Sequence, residues 1–131
     1  MGQEITDSRF DASAFKAFRE RLDRETALLA DWLRKGTLEA GQRRFGFEVE
    51  GWLIDEAGRP APRNQAFLER VGDALVVAEL ALFNFEINST PLLLRPGGLQ
   101  VMHDDLLARW RHCEATASQF RLRPLMTGIL P

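Results

Sequence analysis

One cysteine, Cys113, stands alone among 131 residues. It can neither close an internal disulfide nor supply a multi-cysteine zinc site. Net charge is only −2, with a pI near 5.7, so the basic footprint of a nucleic-acid binder is missing. No apolar run approaches the roughly 20 residues that a bilayer-spanning helix needs. The opening residues, Met-Gly-Gln-Glu-Ile-Thr-Asp, are polar and acidic and do not read as a secretory signal. Lysine is scarce as well: Lys16 and Lys35 are the only two, beside fifteen arginines. Together these features predict a cytoplasmic, reducing setting, with no membrane and no nucleic acid as partner. What is present is an average globular mixture, 45% apolar and 27% charged, which excludes wholesale disorder. A chain of this length buries roughly two-thirds of its unfolded surface. No repeat, low-complexity tract or linker divides it. We therefore expect one domain over residues 1–131, with a tail at 1–10, a helix at 11–36 and a sheet-and-helix segment at 44–131.

Phe15, Phe18, Leu22, Leu29 and Leu33 recur at helical spacing, Asp11 is placed to cap the N-terminus, and Gly36 follows Arg34 and Lys35 as a stop. Residues 45–54 alternate with period two. Phe45, Phe47, Val49 and Leu53 fall on one face and Glu48, Glu50 and Trp52 on the other, the pattern of a strand. Asn64 is placed to cap a short helix carrying Phe67, Leu68 and Val71, which Gly72 stops. Residues 75–79 read as a short strand and 82–90 as a second alternating one. In the latter, Phe83, Phe85 and Ile87 share a face opposite Asn84, Glu86, Asn88 and Thr90, and Pro91 ends the ladder. Leu99, Met102, Leu106, Trp110, Cys113, Ala117 and Phe120 mark a helix over 99–120. Leu122 to Leu130 is apolar and reads as a final strand. A chain that stops directly after such a strand suggests the front portion of a longer architecture. The fold class predicted is α+β, a mainly antiparallel sheet flanked by helices.

Glu48 and Glu50 lie two residues apart on one strand face, so their Cβ atoms are about 7 Å apart. A solvated sheet face explains that pair when it is taken alone. Glu86 adds a third carboxylate on the polar face of another hydrophobic strand, between Asn84 and Asn88. If the two strands are neighbours, oxygen donors converge, and oxygen-only clusters suit Mg²⁺ or Mn²⁺. Glu79 is a fourth candidate. Its parity differs from that of Glu86, so a turn or bulge near Ala81 is needed to bring both to one side. His103 and His112 read as surface or capping groups, and Cys113 as a small core residue. Arg43-Arg44 and Arg109/Arg111 read as solvent-facing. Trp52 shares the carboxylate face, where it could wall a ligand cleft. Gly97-Gly98 reads as a plain turn.

Gly46-Phe47-Glu48-Val49-Glu50 resembles the G-x-E-x-E strand of the glutamate–cysteine ligase superfamily. Glu79-Leu80, followed by Phe85-Glu86-Ile87-Asn88-Ser89-Thr90-Pro91, is similar to its next acidic block, and Gly128-Ile129-Leu130-Pro131 to its closing Gly-x-x-Pro. The resemblance covers residues 44–131 and is to the second family, the carboxylate–amine ligases. It implies part of a glutamine-synthetase-like fold, an antiparallel funnel whose polar face holds Mg²⁺ and ATP phosphates. It further implies phosphorylation of glutamate's γ-carboxylate by ATP, then attack on the acyl phosphate by an amine such as cysteine, a step of glutathione biosynthesis. Carried over to this sequence, the metal ligands are Glu48, Glu50, Glu79 and Glu86, with Asn88 and Thr90 on the substrate side. Members of the family are several hundred residues long, so these 131 residues hold half a site and are expected to be inactive alone.

Two other classes fit the composition. A metal-dependent phosphotransfer or nuclease domain would use the same carboxylates but would place a lysine beside them, and both lysines precede the motif. A non-catalytic interaction module would pack its sheet on a partner, and an open sheet edge also allows self-association.

Overall fold

The computed structural model describes residues 9–38 and 41–128. The chain divides into two compact units, Met1–Gly41 and Gln42–Pro131. The first unit holds one helix, α1 (Ala12–Lys35), none of whose residues is buried. The ends of α1 are those the sequence predicts. Asp11 Oδ1 accepts the Ala14 amide at 2.8 Å, and Gly36 adopts the left-handed conformation at φ 63°, which glycine takes without a Cβ clash. Most of the 1–10 tail lies outside the described residues.

The second unit is α+β, as the alternation and periodicity predict. It runs β1 (Arg44–Phe45), β2 (Glu48–Ile54), α2 (Asn64–Val71), β3 (Val76–Ala78), β4 (Asn84–Asn88), β5 (Leu92–Leu93), α3 (Gly98–Ser118) and β6 (Arg123–Leu125). Four strands form one sheet in the order β3-β4-β2-β6, and β1 pairs with β5 separately. Every pairing is antiparallel. The continuous strand expected over 45–54 is therefore broken in two. The break falls at Gly46-Phe47, where Ser89 is inserted: the Phe47 amide donates to Ser89 Oγ at 2.6 Å, and the Ser89 amide donates to the Phe47 carbonyl at 2.9 Å. A Cβ on Gly46 would stand 3.1 Å from that hydroxyl, so the glycine leaves the space Ser89 needs. Phe47 is consequently about half exposed, not on the core side with Val49. The final strand is shorter than Leu122–Leu130. It ends at Leu125, and residues 129–131, with most of the Gly-x-x-Pro, lie outside the described residues.

The core sits between one sheet face and the two helices. Leu53, Phe85, Ile87 and Val76 point inward from the strands, Phe67 and Val71 from α2, and Cys113 and Ala117 from α3. Aromatic packing centres on Phe85, whose ring centroid lies 4.9 Å from that of Phe67 and 6.2 Å from that of Trp110. Gly51 pairs directly with Phe85 across β2 and β4, and the missing side chain leaves room for the ring. The predicted apolar stripe of α3 is right in its middle but not at its start, since Leu99 is mostly exposed.

Arg109 departs from its reading as a solvent-facing group. Its side chain is only 19% exposed, and its guanidinium bonds the carboxylates of Asp73 and Asp105. The helical spacing of Met102, Leu106, Arg109 and Cys113 places it on the buried side, where two acids neutralise it. Cys113 is fully buried, and the loss of water pushes its thiol up to about 12, in keeping with a core residue and not a nucleophile.

Candidate functional site

The sheet face away from the helices carries the carboxylates. Antiparallel register sets Glu50 opposite Glu86, Glu48 opposite Asn88, and Trp52 opposite Asn84. Side chains directly opposed on one face approach to about 5 Å between Cβ atoms. Like charges so opposed repel, unlike the mixed pairs of an ordinary solvated sheet. Thus three residues chosen by alternation alone, Glu48, Glu50 and Glu86, do share a face.

Glu79 joins them through a turn. β3 ends at Ala78 and β4 begins at Asn84, and the pairing of Val77 with Glu86 puts residue 79 on the same face as residue 86. Asn64 holds that turn in shape. Its side-chain amide donates to the carbonyls of Ala81 at 3.0 Å and Asn84 at 3.1 Å, while Asn84 Oδ1 accepts the Ala81 amide at 2.8 Å. Both asparagines are buried, and these bonds satisfy their polar atoms. Asn64 was expected as a helix cap. It is instead the first residue of α2, with no side-chain cap on that helix, and its amide serves the turn that delivers Glu79.

The four carboxylates have unequal surroundings. Glu48 and Glu50 are exposed and Glu79 half-buried, while Glu86 is 9% exposed. Burial is the first cause that raises the Glu86 carboxyl above its ordinary range; the Asn88 amide, donating to Oε1 at 2.8 Å, opposes this, and Glu48 and Glu79 raise it further. Glu79 Oε2 accepts the backbone amide of Leu80 at 3.1 Å. Thr90 is exposed beyond the end of β4. Trp52 is held at the rim by its indole N–H, which donates to the Thr127 carbonyl at 2.9 Å, and by stacking on Phe83 at 5.6 Å. Phe83 therefore packs on Trp52 in the turn before β4, not with Phe85 and Ile87 as alternation predicts.

The donors are of the kind a hard cation prefers. They are not gathered into a cage: among the described residues, no three His, Cys, Asp or Glu side chains are close enough together to hold a metal ion.

Glu86→Gln tests the electrostatics. A carboxyl whose folded value is raised binds its proton more tightly folded than unfolded, so ionising it costs stability as pH rises from about 4.5. Glutamine removes that cost. The Gln variant should equal the wild type below pH 4.5 and exceed it at pH 7 in urea midpoint, with the gap opening as pH rises. A gap independent of pH would show that Glu86 is not destabilised by its neighbours.

Among the described residues, no helix is long and apolar enough to cross a membrane. No protein family, curated protein or solved structure matches the chain.

Proposed function

We propose that the chain is the N-terminal part of an ATP- and Mg²⁺-dependent carboxylate–amine ligase of the glutamate–cysteine ligase type, acting in the cytoplasm. The observation that carries this reading is the nearly buried Glu86, directly opposite Glu50 and beside Glu79, on the open face of an antiparallel sheet. Such a face suits one wall of a glutamine-synthetase-like funnel. Acids that repel one another have little structural value without a cation to share. Joining glutamate to an amine brings phosphates and carboxylates together, and bound Mg²⁺ or Mn²⁺ supplies the charge neutralisation that this requires. In this reading Glu79 and Glu86 would serve as the inner ligands, and Glu48 and Glu50, both exposed, as outer ones. Asn88 orients Glu86 through its amide. Asn88 and Thr90 line the substrate side, where glutamate and an amine such as cysteine would lie.

The test is Mn²⁺ titration, with and without ATP, followed by NMR line broadening of backbone amides. Broadening should centre on residues 48–50, 79 and 84–88 and should strengthen with ATP. Glu50→Gln and Glu86→Gln should each weaken it by about tenfold, a loss of about 1.4 kcal/mol. Broadening centred elsewhere, or unchanged in both variants, would remove the metal assignment and the ligase reading with it.

A further inference from the structure

We propose that α1 is a self-association element, pairing antiparallel with α1 of a second copy of this chain. The helix is 24 residues long, and within its own unit it buries nothing. Phe15, Phe18, Leu29, Trp32 and Leu33 are each 43% exposed or more. A helix with so much uncovered apolar surface draws little stability from itself, because helices in proteins depend mainly on packing of an amphipathic face.

The spacing defines the partner. Phe15, Leu22 and Leu29 recur every seven residues, and so do Phe18, Glu25 and Trp32. These are the two seam positions of a coiled coil, with the single polar residue at Glu25. On the outer face lie Lys16, Glu20, Asp23, Arg24, Asp31 and Arg34, where salt bridges such as Lys16–Glu20 form within the helix.

Charge decides the orientation. In a parallel pair Glu25 would face Glu25 of the second copy at the centre of an apolar seam, a desolvated like-charge contact. In an antiparallel pair the seam aligns Phe15 with Trp32, Phe18 with Leu29, and Leu22 with Glu25. The narrow apolar half of one helix then meets the broader half of the other, which carries Leu28 and Leu33 beside the seam. Arg21, which bonds Glu25 within the helix at 2.7 Å, falls next to Glu25 of the second copy as well, so each central carboxylate has two guanidiniums in reach. One polar seam residue with matched charges is the device by which such pairs fix register.

The test is sedimentation of the full chain from micromolar to millimolar concentration. It should give a species of about twice 14.9 kDa. Two variants at one position separate the geometries. Leu22→Lys places an ammonium opposite Glu25 of the second copy and should retain the dimer, whereas Leu22→Glu places a second carboxylate there and should raise the dissociation constant by about tenfold or more. Far-UV circular dichroism of each variant checks that the second unit stays folded. A monomer at every concentration overturns the proposal. A dimer that both variants weaken alike, or that neither affects, overturns the antiparallel seam.

Discussion

Gly51→Ala should destabilise the second unit by about 2 kcal/mol, although alanine is the better residue in most strands. The backbone term alone favours the substitution by roughly 0.5–1 kcal/mol. Packing opposes it more strongly. A Cβ at residue 51 would lie 2.8 and 3.0 Å from Cε1 and Cε2 of Phe85, and nearer still to Cζ. The ring cannot retreat, because Phe67 and Trp110 pack against it. Overpacking of this kind costs about 1–3 kcal/mol, occasionally more, so the steric term wins. Urea denaturation should show a lower midpoint at an unchanged slope. Phe85→Leu alone should cost about 1–2 kcal/mol. Combined with Gly51→Ala it should cost less than the two separately, by about 1 kcal/mol. Strict additivity would mean that the two residues do not contend for the same space. The consequence reaches the site, because the Gly51–Phe85 pairing adjoins the pairing of Glu50 with Glu86. A strand pushed outward at one carries the carboxylates apart at the other.

Arg109→Leu should cost about 2 kcal/mol. Removing one partner of a buried ion pair costs roughly 3–5 kcal/mol, because the other charge is left without compensation. Here the acid side chains retain 28% and 36% exposure, and water reduces the penalty. Asp73 also accepts the Leu75 amide at 2.9 Å, so it keeps part of its support. Adding Asp73→Asn to Arg109→Leu should recover part of the loss, since one stranded charge is gone. A single variant as stable as the wild type would show that the network contributes nothing net, as happens when desolvation cancels attraction.

The parts that local pattern determines were legible in the sequence. Period two placed Glu48, Glu50 and Glu86 on one face, and the caps of α1 followed from Asp11 and Gly36. What escaped depends on residues far apart in the chain. The need for a turn near Ala81 to bring Glu79 to the side of Glu86 was legible, but not its support, which is the side-chain amide of Asn64, seventeen residues from Ala81. The strand breaks at Gly46 because Ser89 enters from across the sheet, which no local alternation reveals. Arg109 could have been found: its three- and four-residue spacing from Leu106 and Cys113 puts it on the buried side of α3. The exposed apolar face of α1 looks, in sequence, the same as one packed against a core. Only the placement of the helix in its own unit separates the two.

Cys113 gives the molecule an internal clock. Its thiol, buried under α3 and pushed up to about 12, is effectively unreactive while the helix stays on the sheet, because the nucleophile is the thiolate. A modifying reagent can reach it only during openings that lift α3, and such openings range in free energy from local fraying to complete unfolding. With one sulfhydryl in the chain, the rate of its labelling counts those openings directly, with no second thiol to confuse the signal.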